Sequence, residues 1–149
     1  MKLGYIGLGK MGLGMVERLL HEERHSVVVF DVNEKAEEHA VWEGAAIARS
    51  LWNLVEMLER PRTIWLMVPH EQVDAVLTDI VPLLHEDDTI IDGGNSFYKD
   101  SIRRHTELAA RDVHFLDAGI SGGPHGAREG ACVMVGGDMD VYKKYEHLF

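Results

Sequence analysis

The sequence predicts an α/β fold: a doubly wound, mostly parallel sheet with helices on both faces. Short apolar runs alternate with helical patterns along the whole chain, which is typical of βαβ units. Residues 27–30 and 63–68 are almost entirely apolar, as expected for parallel strands buried on both faces. With 149 residues, the chain has the length of one domain.

The predicted elements follow from the spacing of apolar residues. Strands are predicted at residues 3–6, 27–30, 63–68, 89–92, 113–118 and 132–135, with a weaker one at 45–48. Helices are predicted from residue 11 to about 20, from 34 to about 42, at 51–58, at 73–84, from 98 to about 109, and from 138 to 149. Asn33 is the expected N-cap of the second helix, and Pro82 should break or end the fourth.

Composition limits the class of function. The apolar fraction of 46% and charged fraction of 27% are ordinary for a globular protein. A net charge of −10 argues against nucleic-acid binding, which needs a basic face. No segment is long enough for a membrane span, and no leader peptide precedes the first strand. The single cysteine, Cys132, fits a reducing compartment, so we expect a cytoplasmic protein without membrane or nucleic-acid partners.

The first glycine cluster carries the main functional signal. Gly7, Gly9 and Gly12 form GxGxxG between a strand and a helix, and Asp31 follows 19 positions after Gly12, at the end of the second strand. This is the layout of a Rossmann-type dinucleotide site. Gly7 would make the turn, Gly9 would let the backbone approach a pyrophosphate at the helix N-terminus, and Gly12 would allow close packing.

Asp31 indicates which dinucleotide is bound. A carboxylate at this position accepts hydrogen bonds from the two hydroxyls of the adenosine ribose, whereas a 2′-phosphate would meet like charge. Val32 and Asn33 offer no guanidinium to hold such a phosphate. We therefore predict NAD rather than NADP; the alternative is that Asp31 only enters a loop or caps a helix.

Three further segments follow strand ends, where open α/β sheets bind ligands. Met67-Val68-Pro69 is expected to touch the cofactor, although Pro69 also suits an ordinary turn, and His70 is expected to be a solvated loop residue. Asn95, after two glycines, can donate and accept beside a nicotinamide. The alternatives there are a hairpin turn, and Ser96 as a helix N-cap.

The second glycine cluster, residues 119–130, is expected to be a turn whose N–H groups bind an anion or oxyanion, with Ser121 adding a hydroxyl. A structural turn at a sheet corner is the alternative. Arg128 is expected to form a salt bridge rather than to bind phosphate, and His125 lacks an evident partner for acid–base chemistry. Cys132 is predicted to lie in the core, and the nine histidines show no spacing of metal ligands.

Together these motifs resemble the N-terminal domain of the 6-phosphogluconate dehydrogenases (decarboxylating). The matching pieces span nearly the whole chain: 7–12, 65–69, 91–96, Arg103-Arg104, 119–123 and 126–130. The resemblance implies oxidation of 6-phosphogluconate at C3, decarboxylation, and release of ribulose 5-phosphate. Asp31-Val32-Asn33 departs from the Asn-Arg-Ser/Thr of NADP-using members, which looks like the NAD-preferring branch. Pro124-His125 also differs from many members.

The resemblance also assigns residues. The substrate-binding set would be Asn95, Ser121, Gly122 and Gly123. The cofactor-binding set would be Gly7, Leu8, Gly9, Lys10, Met11, Gly12, Asp31, Val32, Asn33, Met67, Val68, Pro69 and Asn95. No metal site is expected.

The family places its general-base lysine and general-acid glutamate in a helical domain beyond this point. We therefore expect no catalytic acid–base pair in residues 1–149, and homo-oligomerisation of the longer protein through that helical domain. An apolar docking face is expected around the terminal helix. Two alternatives are another β-hydroxyacid dehydrogenase, such as a 3-hydroxyisobutyrate dehydrogenase, and a non-catalytic dinucleotide-binding module.

Overall fold

A computed structural model describes residues 1–22 and 25–149 of the chain. Its strands are β1 (Lys2–Ile6), β2 (Ser26–Phe30), β3 (Ala46–Ile47), β4 (Thr63–Leu66), β5 (Thr89–Asp92), β6 (His114–Ser121) and β7 (Cys132–Gly137). Its α-helices are α1 (Lys10–His21), α2 (Glu34–Trp42), α3 (Leu51–Glu56), α4 (His70–Ile80), α5 (Tyr98–Ala109), α6 (Gly123–Glu129) and α7 (Met139–Tyr145). Short 3₁₀ turns follow α4 at Val81–Leu83, which contains Pro82, and α7 at Glu146–Leu148.

The strands form one sheet in the order β3-β2-β1-β4-β5-β6-β7. Neighbouring strands are parallel except β6 and β7, which are antiparallel. From β1, the next strands in the chain are added on one side, toward β3. From β4, they are added on the other side, toward β7. The direction of winding therefore reverses between β1 and β4, and this is where open α/β sheets hold their ligands. The predicted fold class is confirmed.

A hydrophobic layer covers each face of the sheet. On one face, Tyr5 and Trp65 lie side by side with their ring centroids 6.0 Å apart, and Phe149 packs on Trp65 with centroids 5.6 Å apart. On the other face, Leu54, Ile64 and Ile90 are fully buried. Burial on both sides explains why the central strands have apolar residues at successive positions rather than at alternate ones.

Two predictions about burial are wrong. Cys132 is exposed because it begins the edge strand β7, where it pairs with Ser121 and has no strand beyond it. The terminal helix is not the main exposed apolar face, since Val141, Tyr145 and Leu148 are buried and only Met139 stands out.

The larger exposed apolar side chains near this end of the sheet lie on and beside α5. Tyr98 and Ile102 are both more than half exposed. They line a cavity of about 310 Å³ over the uncovered part of β6 and β7.

Candidate functional site

The carboxyl ends of β1, β4, β5 and β6 lie at one edge of the sheet because these strands are parallel. The predicted segments that begin at Gly7, Met67, Gly93 and Ser121 therefore gather at this edge, as the sequence indicated. Asp92, the last residue of β5, pairs with Asp117, so β6 continues four residues further to Ser121. The Ser121 segment consequently stands higher above the edge than the Gly93 segment.

Gly7 and Gly12 make the turn between β1 and α1 compact. Gly7 has a φ of +100°, and a Cβ there would lie 2.6 Å from the Met67 carbonyl oxygen. A Cβ on Gly12 would overlap the Gly7 carbonyl oxygen. Both positions therefore exclude any larger residue, and α1 begins directly against the ends of β1 and β4.

Gly9 is different, because a Cβ there would meet no atom within 4 Å. It is the N-cap of α1, without a side-chain capping bond and without an acidic residue in the first turn. Intrahelical bonding starts with the Leu13 N–H donating to the Gly9 carbonyl at 2.9 Å. The preceding N–H groups, including those of Lys10 and Met11, point out of the helix end and can bind an anion. The space above Gly9 is therefore open and borders unbonded N–H groups.

Asp31 lies at the end of β2 and is held in place by the backbone. Its Oδ2 accepts a hydrogen bond from the Leu8 N–H, and its Oδ1 accepts one from the Asn33 N–H at 2.8 Å. These bonds orient the carboxylate beside the glycine turn and leave lone pairs for further donors. Asn33 caps α2 by accepting from the Lys35 N–H, as predicted. Val32 between them is 93% exposed, so its apolar side chain is available to a ligand.

The β4 end forms the opposite wall. The Met67 N–H donates to the Ile6 carbonyl at 2.7 Å, which continues the pairing of β1 and β4 beyond the strands. Met67 and Val68 are half-buried there, while Pro69 is exposed and is the N-cap of α4. His70 is the exposed first residue of that helix, where its Nδ1 lies 3.3 Å from Glu71.

Asn95 projects from a tight loop after β5. It is exposed and has a φ of +58°. Its side chain forms no hydrogen bond with any residue that the structure describes. The two preceding glycines allow close approach, since a Cβ on Gly94 would lie 2.6 Å from the Val68 carbonyl oxygen and one on Gly93 would lie 2.6 Å from Trp65 Nε1. The loop therefore packs against the β4 wall, and the Asn95 side chain is exposed at this edge of the sheet.

Ser96 is not the N-cap of α5; Phe97 is. The Ser96 hydroxyl instead donates to Asp92 Oδ2 at 2.7 Å and accepts from Arg104 Nη1 at 2.7 Å. Helix α5 begins at Tyr98, as predicted, and the Ser96 hydroxyl is bonded to the fully buried Asp92 carboxylate instead of capping it. A serine before a helix does not reveal such a partner.

The buried ion pair behind this loop was not predicted. Arg104 Nη1 lies 3.1 Å from Asp92 Oδ2, and Arg104 Nε lies 2.7 Å from Asp74 Oδ1 on α4. The side chains of Arg104 and Asp92 are 3% and 0% exposed. The hydrogen bond from Arg104 holds the pKa of Asp74 below its ordinary value. The Arg103-Arg104 pair was the only sequence signal, and it did not indicate the acidic partners.

The segment from Ser121 to Gly130 is not one continuous turn, contrary to expectation. Ser121 ends β6, Gly122 and Gly123 have φ values of +148° and +61°, and residues from Gly123 onward form α6. Two successive positive φ values give the short turn a conformation that favours glycine. Ser121, Gly122 and Gly123 are exposed and lie at the same edge as Asn95.

Helix α6 packs on α1. Arg128 Nε lies 2.7 Å from Glu17 Oε2 on α1, which confirms that Arg128 forms a salt bridge. A Cβ on Gly14 would lie 3.2 Å from the Ala127 Cβ, so the two helices are close at this point. His125 is exposed.

Asp117 lies next to this site on β6 and accepts a hydrogen bond from the Ser101 hydroxyl at 2.9 Å. Burial raises the pKa of its carboxyl above the ordinary value, and the Ser101 bond partly offsets the rise. Within residues 1–22 and 25–149, no group of three or more His, Cys, Asp or Glu side chains is arranged to hold a metal ion. No helix in that part of the chain is long and apolar enough to cross a membrane.

The chain matches known proteins over nearly its whole length. A family model described as the NAD binding domain of 6-phosphogluconate dehydrogenase matches residues 2–149. The putative 6-phosphogluconate dehydrogenase YqeC of Bacillus subtilis is 48% identical over 149 residues, which cover all of this chain and 50% of that protein. The NAD(+)-dependent, decarboxylating 6-phosphogluconate dehydrogenase of Haloferax volcanii is 44% identical, over 100% of this chain and 49% of that one.

Two solved structures are also similar. The 3-hydroxyisobutyrate dehydrogenase of Mycobacterium tuberculosis superposes with a TM-score of 0.90 at 28% identity, over 99% of this chain and 50% of that one. The 6-phosphogluconate dehydrogenase of Plasmodium falciparum superposes with a TM-score of 0.88 at 28% identity, over 99% of this chain and 33% of that one. The chain thus spans about half the length of the curated relatives described above.

Proposed function

The chain belongs to the family of NAD-binding domains of 6-phosphogluconate dehydrogenase, and from this we propose that it is the cofactor-binding part of an NAD-linked enzyme. That enzyme would oxidise and decarboxylate 6-phosphogluconate to ribulose 5-phosphate. One observation supports the proposal most strongly. The open N-terminus of α1 at Gly9 lies next to Leu8, whose N–H group orients the Asp31 carboxylate.

Each residue type suits one part of the dinucleotide. The pyrophosphate would lie over Gly9, bound by N–H groups at the start of α1. Asp31 would accept hydrogen bonds from the two ribose hydroxyls, with Val32 against the adenine. Met67, Val68 and Pro69 would form the opposite wall. When bound, NAD supplies the acceptor for the hydride that leaves C3 of the sugar acid.

The preference for NAD over NADP is part of this proposal. The Leu8 and Asn33 N–H groups fix the orientation of the Asp31 carboxylate, which would then face the ribose, and a 2′-phosphate would bring negative charge against it. The name of the Haloferax volcanii relative includes NAD(+) dependence, which supports the same assignment here.

The substrate would lie between Asn95 and the Ser121 turn. Asn95 has donor and acceptor groups with no partner among the described residues, so it can bind a substrate hydroxyl beside the nicotinamide. Ser121 adds a hydroxyl, and Gly122 and Gly123 let a bulky sugar phosphate approach the backbone. The general base and general acid would come from outside residues 1–149, and so would the contacts that make the enzyme a homo-oligomer.

A second candidate is a dehydrogenase for an unphosphorylated β-hydroxyacid. The likeness to a 3-hydroxyisobutyrate dehydrogenase, with a TM-score of 0.90, favours it. The test is to assay the polypeptide that the gene encodes with both acids. Turnover of 3-hydroxyisobutyrate but not of 6-phosphogluconate would favour this second candidate over the first. A module that binds NAD and turns over neither acid would be non-catalytic.

The direct test is a titration of the chain with NADH and NADPH, followed by fluorescence or calorimetry. We expect NADH to bind more tightly. Adding 6-phosphogluconate to the NADH complex should shift the backbone amide resonances of Asn95, Ser121 and Gly122, whereas equal or tighter binding of NADPH would contradict the NAD assignment.

A further inference from the structure

The loop that carries Asn95 is fixed from behind by a buried network. Asp92 accepts three hydrogen bonds: from the Gly94 N–H at 3.0 Å, from the Ser96 hydroxyl at 2.7 Å and from Arg104 Nη1 at 3.1 Å. Gly94 and Ser96 are the two neighbours of Asn95. The residue on each side of Asn95 is therefore bonded to one carboxylate.

Arg104 completes the network. Its Nη1 donates both to Asp92 and, at 2.7 Å, to the Ser96 hydroxyl, so it closes a triangle of three side chains. Its Nε donates to Asp74 Oδ1 at 2.7 Å, which ties the same guanidinium to α4. One planar cation thus joins α4, α5, the end of β5 and the loop.

The conformation of Asn95 depends on this arrangement. Its φ of +58° lies in the left-handed region, which asparagine tolerates better than most residues with a Cβ but which is still less favourable than the right-handed region. Its side chain makes no bond among the described residues that would hold it there. The conformation is therefore imposed by the bonds of Gly94 and Ser96 and by the close approach of Gly94 to the Val68 carbonyl.

The burial of the pair points to a role beyond stability. A buried ion pair seldom stabilises a fold more than apolar residues of the same volume would, because both charges lose their hydration. The pair does fix the relative orientation of its members, because a planar guanidinium binds carboxylates in only a few geometries. The Arg104 side chain is 3% exposed and its guanidinium is bonded to Asp92, Ser96 and Asp74, so we infer that it acts through these partners rather than by binding a ligand itself.

We propose that Arg104 is a positioning residue: through Asp92 and Ser96 it holds Asn95 in the left-handed conformation that aims its amide at the nicotinamide end of the cofactor site. This inference rests on the proposed function for the identity of the ligand. The position of Asn95 itself does not depend on a ligand, so it can be measured separately.

The adjacent arginine provides a matched control. Arg103 also binds Asp74, with Nη2 2.8 Å from Oδ2, but it is exposed and does not contact Asp92 or Ser96. Arg103→Met and Arg104→Met remove the same charge and the same kind of bond to Asp74. Only the second should disturb the loop.

The first readout needs no ligand. The three-bond HN–Hα coupling and the chemical shifts of Asn95, together with hydrogen exchange at the Gly94 N–H, report the loop conformation in solution. We expect Arg104→Met to shift Asn95 out of the left-handed conformation and to remove protection at Gly94, with no change in Arg103→Met. An unchanged Asn95 in a folded Arg104→Met protein would overturn the proposal.

The second readout separates the two ends of the cofactor. ADP-ribose contains the adenosine and pyrophosphate of NADH but lacks the nicotinamide. We expect Arg104→Met to weaken the binding of NADH about tenfold, which corresponds to the loss of one well-placed polar contact. The binding of ADP-ribose should weaken less than twofold. Equal weakening of both ligands would indicate a general loss of structure and overturn the proposal.

A double variant tests the route of the effect. If Arg104 acts through Asn95, the Asn95→Ala/Arg104→Met protein should bind NADH no more weakly than Asn95→Ala alone. Additive losses would overturn the proposal. If Arg104→Met does not fold, Ser96→Ala, which removes only the bridging hydroxyl, replaces it in every comparison and should change Asn95 in the same direction.

Failure of the proposed function looks different. An unmodified chain that binds neither NADH nor ADP-ribose would contradict the dinucleotide site. The coupling constant and the exchange at Gly94 would still decide whether Arg104 positions Asn95.

Discussion

Arg128 and Glu17 lie 111 residues apart in the chain, and their side chains meet with Arg128 Nε 2.7 Å from Glu17 Oε2. Glu17 lies on α1, which follows the glycine turn, and Arg128 lies on α6, which follows the Ser121 turn. The carboxylate is 11% exposed and also lies 3.1 Å from His39 Nε2 on α2. This contact links the helix of the proposed cofactor site to the helix of the proposed substrate site.

Arg128→Met should therefore destabilise the chain by about 1–2 kcal/mol, because Glu17 loses a charged hydrogen bond in a poorly solvated position. Urea unfolding measures this loss. Glu17→Gln and the double variant complete a thermodynamic cycle. A double variant whose loss equals the sum of the two single losses would show that the two side chains do not interact in solution.

Substitutions in the first glycine cluster should separate folding from binding. Gly12→Ala should cost about 1–3 kcal/mol, since its methyl group would overlap the Gly7 carbonyl oxygen. Gly9→Ala should cost less than about 1 kcal/mol, because the space there is open and only the capping preference changes.

The methyl group of Gly9→Ala should also weaken the binding of NADH, because it occupies the space above α1. The expected loss of affinity is about tenfold or more, which corresponds to at least about 1.4 kcal/mol. Thermal unfolding and NADH titration of both variants check the pair of expectations. Normal NADH affinity in a folded Gly9→Ala protein would place the pyrophosphate elsewhere.

Asp31→Asn should narrow the preference for NADH over NADPH. The ribose hydroxyls lose a charge-assisted acceptor worth roughly 1.5–3 kcal/mol. The affinity for NADH should therefore fall about tenfold or more, while the affinity for NADPH should change less. Asp87→Asn is a control with the same charge change in the loop before β5, at the opposite edge of the sheet. An unaltered ratio of the two dissociation constants would show that Asp31 does not select the cofactor.

Asp117→Asn should stabilise the chain at pH 7. Burial raises the pKa of the Asp117 carboxyl in the folded state, so ionisation at neutral pH opposes folding, and the folded state gains stability as the pH falls through that raised pKa. Asparagine keeps an acceptor for Ser101 without the charge. The gain should be below about 1 kcal/mol, because the half-exposed carboxylate is screened by solvent.

The pH dependence distinguishes this cause from a packing effect. The advantage of Asp117→Asn should shrink as the pH falls through the raised folded-state pKa toward the ordinary aspartate pKa of about 3.9, and it should be absent below that value, where the unmodified carboxyl is protonated in both states. Asp140→Asn, at an exposed position of α7, serves as the control. A pH-independent gain would contradict the assignment to charge burial.

Residues 1–149 should bind NADH yet turn over 6-phosphogluconate at almost no rate. Oxidation of the secondary alcohol needs a base and decarboxylation needs an acid, and each such group typically contributes about 10²–10⁴-fold. Lys2 lies in β1, Lys10 and Lys35 lie in α1 and α2, Lys99 lies in the first turn of α5, and Lys143 and Lys144 lie in α7, so none of the six belongs to the Asn95 loop or the Ser121 turn. Sustained NADH production by the purified chain would show that the catalytic groups are already present.

Much of the architecture follows from local pattern. The alternation of apolar strands and amphipathic helices determines the fold class, because strands buried on both faces and helices buried on one have different periodicities. The glycine turn and Asp31 are equally local, since their spacing reflects one strand–helix–strand unit. The positions of Asn95 and Ser121 at the same edge also follow, because both succeed parallel strands.

What the pattern did not reveal are contacts between residues far apart in the chain. Arg104 binds Asp74, which is 30 residues away on another helix, and Ser96 bonds to Asp92 and Arg104 instead of capping α5. Cys132 has apolar neighbours but lies at the sheet edge, and the apolar face of the terminal helix is covered by the sheet. The elements that form, and the position of the glycine turn, Asn95 and Ser121 at one edge of the sheet, could be predicted from local sequence, because periodicity and turn chemistry act over a few residues. Which side chains are buried together, and which of them hold the Asn95 loop, became evident from the three-dimensional structure, because packing brings distant groups out of water and makes each of them find a partner.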